Sequence, residues 1–100
     1  MTRSPAPLLR IASVVPLAGF RLRLTLTDGS LIERDVGRLV WGPVFDAIRT
    51  DRRTFEAVRV ESGTVVWPGG ADLDPDVLIW GGAPPRDRGL RPPAELAPSP

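Results

Sequence analysis

The stretch Phe20–Leu26 alternates strictly between apolar and polar side chains, and this pattern constrains the fold more than any other feature. Its even-numbered positions hold phenylalanine and three leucines, while its odd-numbered positions hold two arginines and a threonine. Such period-two alternation predicts a half-buried β-strand. Asp28-Gly29 follows at once and is a typical hairpin signal. We therefore expect an antiparallel hairpin with one face against a core.

Two registers of this hairpin are open. A two-residue loop would place Leu24 opposite Glu33. A three-residue loop with a left-handed glycine pairs Leu24 with Ile32 and sets basic residues against acidic ones. We predict the second register, because cross-strand pairs of matching character stabilise a sheet. Its one poor pair is Leu22 opposite Arg34.

The middle of the chain is predicted to be helical but interrupted. Gly42-Pro43 is typical of a helix start, with proline at the first helical position. Val44, Ala47 and Ile48 are then expected on one inward face. Asp51 is placed to cap a second short helix.

Strands are expected on both sides of this region. Residues 10–16 predict a first strand, and residues 58–67 predict a second hairpin around Ser62-Gly63, with Val60 opposite Val65. The expected fold is α+β: a small antiparallel sheet built from hairpins 11–36 and 58–67, short helices between them, and a short C-terminal helical turn. We divide the chain into an N-terminal extension (1–8), one domain (9–80) and a disordered tail rich in proline and arginine (81–100).

The most particular stretch of the chain is Val65–Trp80, which we interpret as an architectural motif. A tryptophan and a Pro-Gly-Gly sequence suit a bend from strand to helix, and an aspartate followed by proline suits a helix cap. Asp72 is expected to bond backbone amides in the bend. The motif residues are Trp67, Pro68, Gly69, Gly70, Asp72, Asp74 and Pro75.

The spacing of Asp72, Asp74 and Asp76 also resembles the start of a calcium loop. The rest of that pattern fails, because Val77 stands at the position of the turn glycine and Ala83 at that of the bidentate glutamate. We predict no metal site and no cofactor. A weak Asp-based Mg²⁺ or Ca²⁺ site remains the alternative.

Residues with a predicted interaction role are Trp80, Trp41, Arg21 and Arg23, because tryptophan and arginine are enriched at binding hot spots. Trp67 is assigned to the core instead. A mixed-charge face is expected around the cluster of arginines at 49, 52, 53 and 59, since acidic residues interleave with them at helical spacings.

Composition excludes most catalytic chemistries. The chain has no His, Cys or Tyr, and all 13 of its basic residues are arginine. A Ser–His or Cys–His pair, a Schiff base and a Cys/His zinc site therefore cannot form. We predict that the protein is not an enzyme. The sequence has no apolar run of bilayer length and no signal peptide, so a cytoplasmic protein without a membrane partner is expected.

Four segments carry a family resemblance: residues 21–29, 42–45, 58–60 and 66–78. Together they resemble the bacterial domain of unknown function family 2442, from about Ile11 to Ile79. This chain departs at Gly69, where asparagine is common, and at Ile79, where tyrosine often follows the leucine. The resemblance implies a small α+β fold with antiparallel strands. It transfers no catalytic residue, because the family has none agreed.

Three function hypotheses follow. Members of the family are often encoded beside another small protein, as in toxin–antitoxin pairs, so the resemblance favours a protein-binding module with an adjacent-gene, antitoxin-like role. The alternative is a nucleic-acid-associated regulator, although a net charge of +1 makes nucleic acid an unlikely partner. An Asp-based metal-binding protein is the third. Because so small a core supplies little stability, either self-association as a homo-oligomer or a partner would be an unsurprising source of more.

Overall fold

Two three-stranded antiparallel sheets, a short helical segment between them and a C-terminal helix make up the fold. The structure is a computed structural model that describes residues 9–82 and 91–93. The elements are β1 (Ile11–Pro16), β2 (Arg21–Leu26), β3 (Leu31–Asp35), a 3-10 turn (Pro43–Phe45), α1 (Asp46–Thr50), α2 (Arg52–Glu56), β4 (Arg59–Glu61), β5 (Thr64–Val66), β6 (Asp72–Leu73) and α3 (Pro75–Trp80). The predicted α+β class is confirmed.

The first sheet has the order β1-β2-β3, and its hairpin adopts the predicted register. Leu24 lies opposite Ile32, and Leu22 lies opposite Arg34. The loop spans residues 27–29, because the Leu26 amide donates to the Ser30 carbonyl. Its glycine is left-handed, with φ 88°, as a bulged three-residue loop requires.

The helical segment differs from the prediction in the face that it buries. Val44 and Ala47 are exposed, so the predicted inward face was wrong for both. The chain begins this segment as a 3-10 turn rather than as an α-helix. That tighter start rotates the side chains, so that Phe45 points to the core in place of Val44, while Ile48 is buried as predicted. Asp51 caps α2 as predicted, with its carboxylate accepting from the Arg53 amide.

The second hairpin also has its predicted pairing, with Val60 opposite Val65. It does not join the first sheet, and it gains a third strand that the sequence analysis missed. In that strand, β6, Asp72 pairs with Val66, and Leu73 pairs with Val65. Asp72 is therefore a strand residue, and its predicted role in the bend was wrong.

One hydrophobic cluster lies between the two sheets and the helices. β1 packs beside β4 and β5, which brings the sheets together. Aromatic rings connect the cluster edge to face, from Phe20 to Phe55 and from Phe45 to Trp67. Its buried members are Ile11, Leu22, Leu24, Leu26, Ile32, Val36, Val40, Ile48, Phe55, Val58, Val65, Trp67, Ala71, Leu73, Leu78 and Ile79.

The proposed extension at residues 1–8 lies outside the described residues, as do residues 83–90 and 94–100 of the proposed tail. Residues 81–82 and 91–93 of that tail are described, and the second piece contacts the domain through a hydrogen bond from Arg34 to the Pro93 carbonyl. Over the described ranges, no helix has both the length and the apolar character needed to cross a bilayer.

Candidate interaction surface

The loop between β3 and α1 carries the most exposed aromatic side chain of the described domain. Trp41 is 63% exposed, and Val44, two residues after Gly42, is 59% exposed. Leu39 adds a third exposed apolar side chain nearby in sequence. We call residues 39–44, together with the Arg49 side chain, the Trp41 surface.

The Arg49 guanidinium lies against the indole of Trp41. Its guanidinium carbon lies 3.8 Å from the centre of the Trp41 ring and 4.9 Å from that of Phe20. The same guanidinium donates to the carbonyl oxygens of Gly37 at 2.7 Å and Val40 at 3.2 Å. A cation–π contact at an exposed site contributes about 0.5–1 kcal/mol. Because the guanidinium is also held by two carbonyls, it presents a positioned cation to one face of the exposed ring.

The local sequence builds this arrangement from the core outward. Val36 and Val40 are buried, and the Val40 amide donates back to the Val36 carbonyl in a tight turn. The turn leaves Trp41 pointing outward. Gly42 then adopts φ 96°, a conformation that glycine reaches without a steric penalty, and directs the chain into Pro43. A buried turn and a left-handed glycine together present the Trp41 surface.

Trp80, the second predicted interaction residue, lies at the C-terminal end of α3. It is half-buried and packs against the core cluster. The helix ends at Gly81, which is left-handed at φ 81° and donates its amide to the Val77 carbonyl. Trp80 therefore presents only part of its ring, unlike Trp41.

Arg21 and Arg23 share one carboxylate on the outer face of the first sheet. They contact Glu33 at 3.4 and 3.1 Å. The pKa of the Glu33 carboxyl lies below its ordinary value, first because Arg23 donates hydrogen bonds to it and then because Arg21 does. This face is partly neutralised and does not form an uncompensated basic patch.

The predicted cluster of arginines at 49, 52, 53 and 59 is divided among separate partners. Arg52 pairs with Glu56 at 3.0 Å, as helical spacing predicts, and also donates to the carbonyls of Leu17 and Gly19. Arg59 pairs with Glu61 at 3.2 Å. Most of these guanidinium groups therefore hold the domain's own backbone or acids.

The architectural motif places Trp67 in the core, where it is 1% exposed. Its amide donates to the Ala71 carbonyl, which closes the bend through Pro68. Gly69 and Gly70 lie at φ 99° and 98°, so both glycines supply backbone conformations that other residues adopt only with strain.

The three aspartates of the motif have separate positions. Asp72 is exposed on β6, and the Asp74 carboxylate accepts from the Asp76 amide at the start of α3. Pro75 occupies the first turn of the helix, as predicted. Across the residues that the structure describes, no group of three or more His, Cys, Asp or Glu side chains is placed to hold a metal ion.

Two arginines with defined positions escaped the sequence analysis. Arg49 was assigned to a solvated face, yet its guanidinium stacks on Trp41. Arg34 is only 3% exposed, and burial lowers the pKa of its guanidinium. The unfavourable pairing of Arg34 with Leu22 was a usable signal, because a charged residue on a core face needs buried partners.

These observations define a small α+β domain that presents an exposed aromatic side chain stacked on an arginine. The chain belongs to the family DUF2442, described as a protein of unknown function, whose family model matches residues 11–83. This match confirms the resemblance found in the four segments. No curated protein and no solved structure matches the chain.

Proposed function

We propose that this protein is a protein-binding module and that it contacts its partner through the Trp41 surface. The observation that carries the proposal is the exposed Trp41 indole held against the Arg49 guanidinium at 3.8 Å. The proposed partner is the product of the neighbouring gene, in an antitoxin-like pair.

The physical argument rests on preorganisation. Tryptophan and arginine dominate binding hot spots, because they bury a large area and offer hydrogen-bond donors. Binding normally costs about 0.5–1.5 kcal/mol for each side chain that becomes immobilised. Trp41 is already held by its contact with Arg49, so much of this cost is met in the free protein. Exposed Val44 extends the apolar area beside it.

Composition supports binding over catalysis. The sequence lacks His, Cys, Lys and Tyr, which perform most proton transfer and nucleophilic attack in enzymes. The nucleic-acid alternative has weaker support, because Arg21 and Arg23 are paired with Glu33. Phosphate contacts would have to compete with that carboxylate.

The decisive experiment measures binding between the full chain and the purified product of the neighbouring gene. Both proteins are co-expressed, and their affinity is then determined by isothermal titration. Trp41→Ala should weaken binding by about 2 kcal/mol or more, which is roughly thirtyfold in Kd. Val15→Ala is the matched control, since Val15 is also an exposed apolar residue but lies on β1.

The two parts of the proposal can fail separately. If the full chain forms no complex with that product, the adjacent-gene assignment is wrong. If a complex forms but Trp41→Ala binds as tightly as the original chain, the surface is wrong. Sedimentation of the chain alone tests self-association. If the chain is a dimer and Trp41→Ala makes it a monomer, the partner is a second copy of the chain.

A further inference from the structure

The outer edge of β3 carries backbone groups that do not face β2. The Ser30 carbonyl accepts from Leu26, and the Val36 amide donates to Phe20, so even-numbered residues of this strand face β2. Backbone groups alternate in direction along a strand. The amides and carbonyls of Leu31, Glu33 and Asp35 therefore point away from the sheet.

This edge has no strand partner in the described part of the chain, since β3 pairs there with β2 alone. An edge of this kind is a template for strand addition or aggregation unless something covers it. Leu31, at its start, is an apolar side chain that is 63% exposed.

Arg34 places its guanidinium at this edge. One terminal nitrogen donates to the Glu33 carbonyl at 3.0 Å, which is an edge-facing oxygen. The Nε donates to the Leu78 carbonyl at 2.6 Å, and the other terminal nitrogen donates to the Ile79 carbonyl at 3.1 Å. The planar fork of arginine therefore joins the edge of β3 to the last turn of α3.

The same guanidinium also binds the C-terminal segment. Arg34 donates to the Pro93 carbonyl at 2.7 Å. At the other end of the strand, the pKa of the Asp28 carboxyl is lowered, chiefly by hydrogen bonds from Ser30 and to a smaller degree by the charge of Arg91. The Pro93 carbonyl therefore lies at the Arg34 end of the β3 edge, where the same guanidinium contacts the Glu33 carbonyl.

We propose that the β3 edge, with Arg34 at its end, is a docking surface for an extended, proline-containing segment, and that Arg91-Pro92-Pro93 of the same chain occupies it. The segment is held by its carbonyl, so recognition does not need a backbone amide donor. Prolines lack that donor and cannot continue a strand ladder.

Charge and conformation both suit this occupant. Asp28 lies in the loop before β3, and Arg91 supplies an opposite charge that acts on its carboxylate. A Pro-Pro sequence is already extended, so little conformational entropy is lost when it docks. Docked prolines block strand addition at the Arg34 end of the edge without extending the sheet.

The test uses the full chain, which has no cysteine, so a single spin label can be attached. Ala94→Cys places the label directly after Pro93. Backbone amide intensities are compared between the oxidised and reduced label. The expected result is a loss of intensity at Leu31, Glu33 and Gly81 that does not depend on protein concentration.

A mixed sample identifies the occupant. Spin-labelled chain without ¹⁵N is added to ¹⁵N chain without a label. Intensity loss that occurs only when the spin label and ¹⁵N are on the same chain supports docking within one chain. Loss in the mixed sample would mean that a second copy occupies the edge, and no loss in either sample would mean that the edge is open; both results overturn the proposal.

Arg34→Lys adds a chemical test, because a lysine cannot present the same fork to several carbonyls. Intensity loss at Leu31 and Glu33 should fall, while the remaining amide spectrum stays folded. Where this variant does not fold, Pro92→Gly with Pro93→Gly replaces it. That pair keeps the Pro93-position carbonyl but removes the preset extended conformation, so the intensity loss should weaken.

Discussion

The indole nitrogen of Trp67 donates a hydrogen bond of 2.9 Å to the carbonyl oxygen of Phe55. This bond joins the bend after β5 to the last turn of α2, and both rings lie in the core. Trp67 therefore fills the core and also satisfies a helix-terminal carbonyl. Trp41 does neither.

We expect Trp67→Phe to lower the free energy of unfolding by about 2–4 kcal/mol, because the change removes a buried hydrogen bond and leaves a cavity. Urea unfolding measures the loss. Trp41→Phe is the control and should stay within about 0.5 kcal/mol, since that residue is exposed. Equal losses in the two variants would contradict the core assignment of Trp67.

Asp74→Ala should cost about 1 kcal/mol, because the Asp74 carboxylate caps α3 through the Asp76 amide. Asp72→Ala should change stability by less than about 0.5 kcal/mol, since Asp72 is an exposed strand residue. Thermal unfolding of both variants gives the comparison. If magnesium or calcium raised the melting temperature of the original chain, and both variants abolished the rise, the metal-site alternative would gain support.

Stability should fall at acidic pH partly through Glu33. Its pKa is lowered in the folded state by Arg23 and Arg21, so the carboxylate stabilises the fold above the pKa of an unfolded glutamate, about 4.3. That stabilisation is lost as the pH falls through the lower, folded-state pKa. Urea unfolding is measured at a series of pH values from 6 downward. The free energy of unfolding should decline less steeply with falling pH for Glu33→Gln than for the original chain.

Salt provides the control for this pH effect. The ion pairs are exposed, so high ionic strength should screen them and bring the two pH profiles together. Profiles that already coincide at low salt would show that Glu33 makes no such contribution.

Gly69→Ala and Gly70→Ala should each cost about 1–2 kcal/mol, because both residues have φ near +100°. A Cβ at either position meets no atom within 4 Å, so the cost comes from the backbone rather than from a clash. Gly82→Ala is matched in space but lacks a positive φ. Gly82→Ala should have the same free energy of unfolding in urea as the original chain. Equal destabilisation by all three substitutions would contradict the role of the positive φ angles.

The register of the first hairpin could be predicted from the sequence, because the alternation of apolar and polar residues and the Asp28-Gly29 turn both favoured the same pairing. Alternation placed Leu22 and Leu24 on one face, and Asp28-Gly29 fixed the loop. The cap at Asp74 was also predictable, since caps depend on residues only a few positions away. Local chemistry was sufficient in both cases.

Features set by distant contacts could not be predicted in this way. β6 has only two residues, and its pairing depends on the bend between Trp67 and Ala71. Arg49 could not be assigned to Trp41 without the turn at Val40. The inward face of the helical segment was mispredicted because a 3-10 start and an α-helical start present different side chains.

The bond from Arg34 to the Leu78 carbonyl also has a consequence for the order of folding. The two residues are 44 positions apart, so the bond closes a loop that contains most of the domain. Closing long loops early is entropically costly, and such contacts tend to form late. We expect substitutions at Arg34 to accelerate unfolding while leaving the refolding rate nearly unchanged. During synthesis, a nascent chain must release α3 from the ribosome before this guanidinium acquires its final partners.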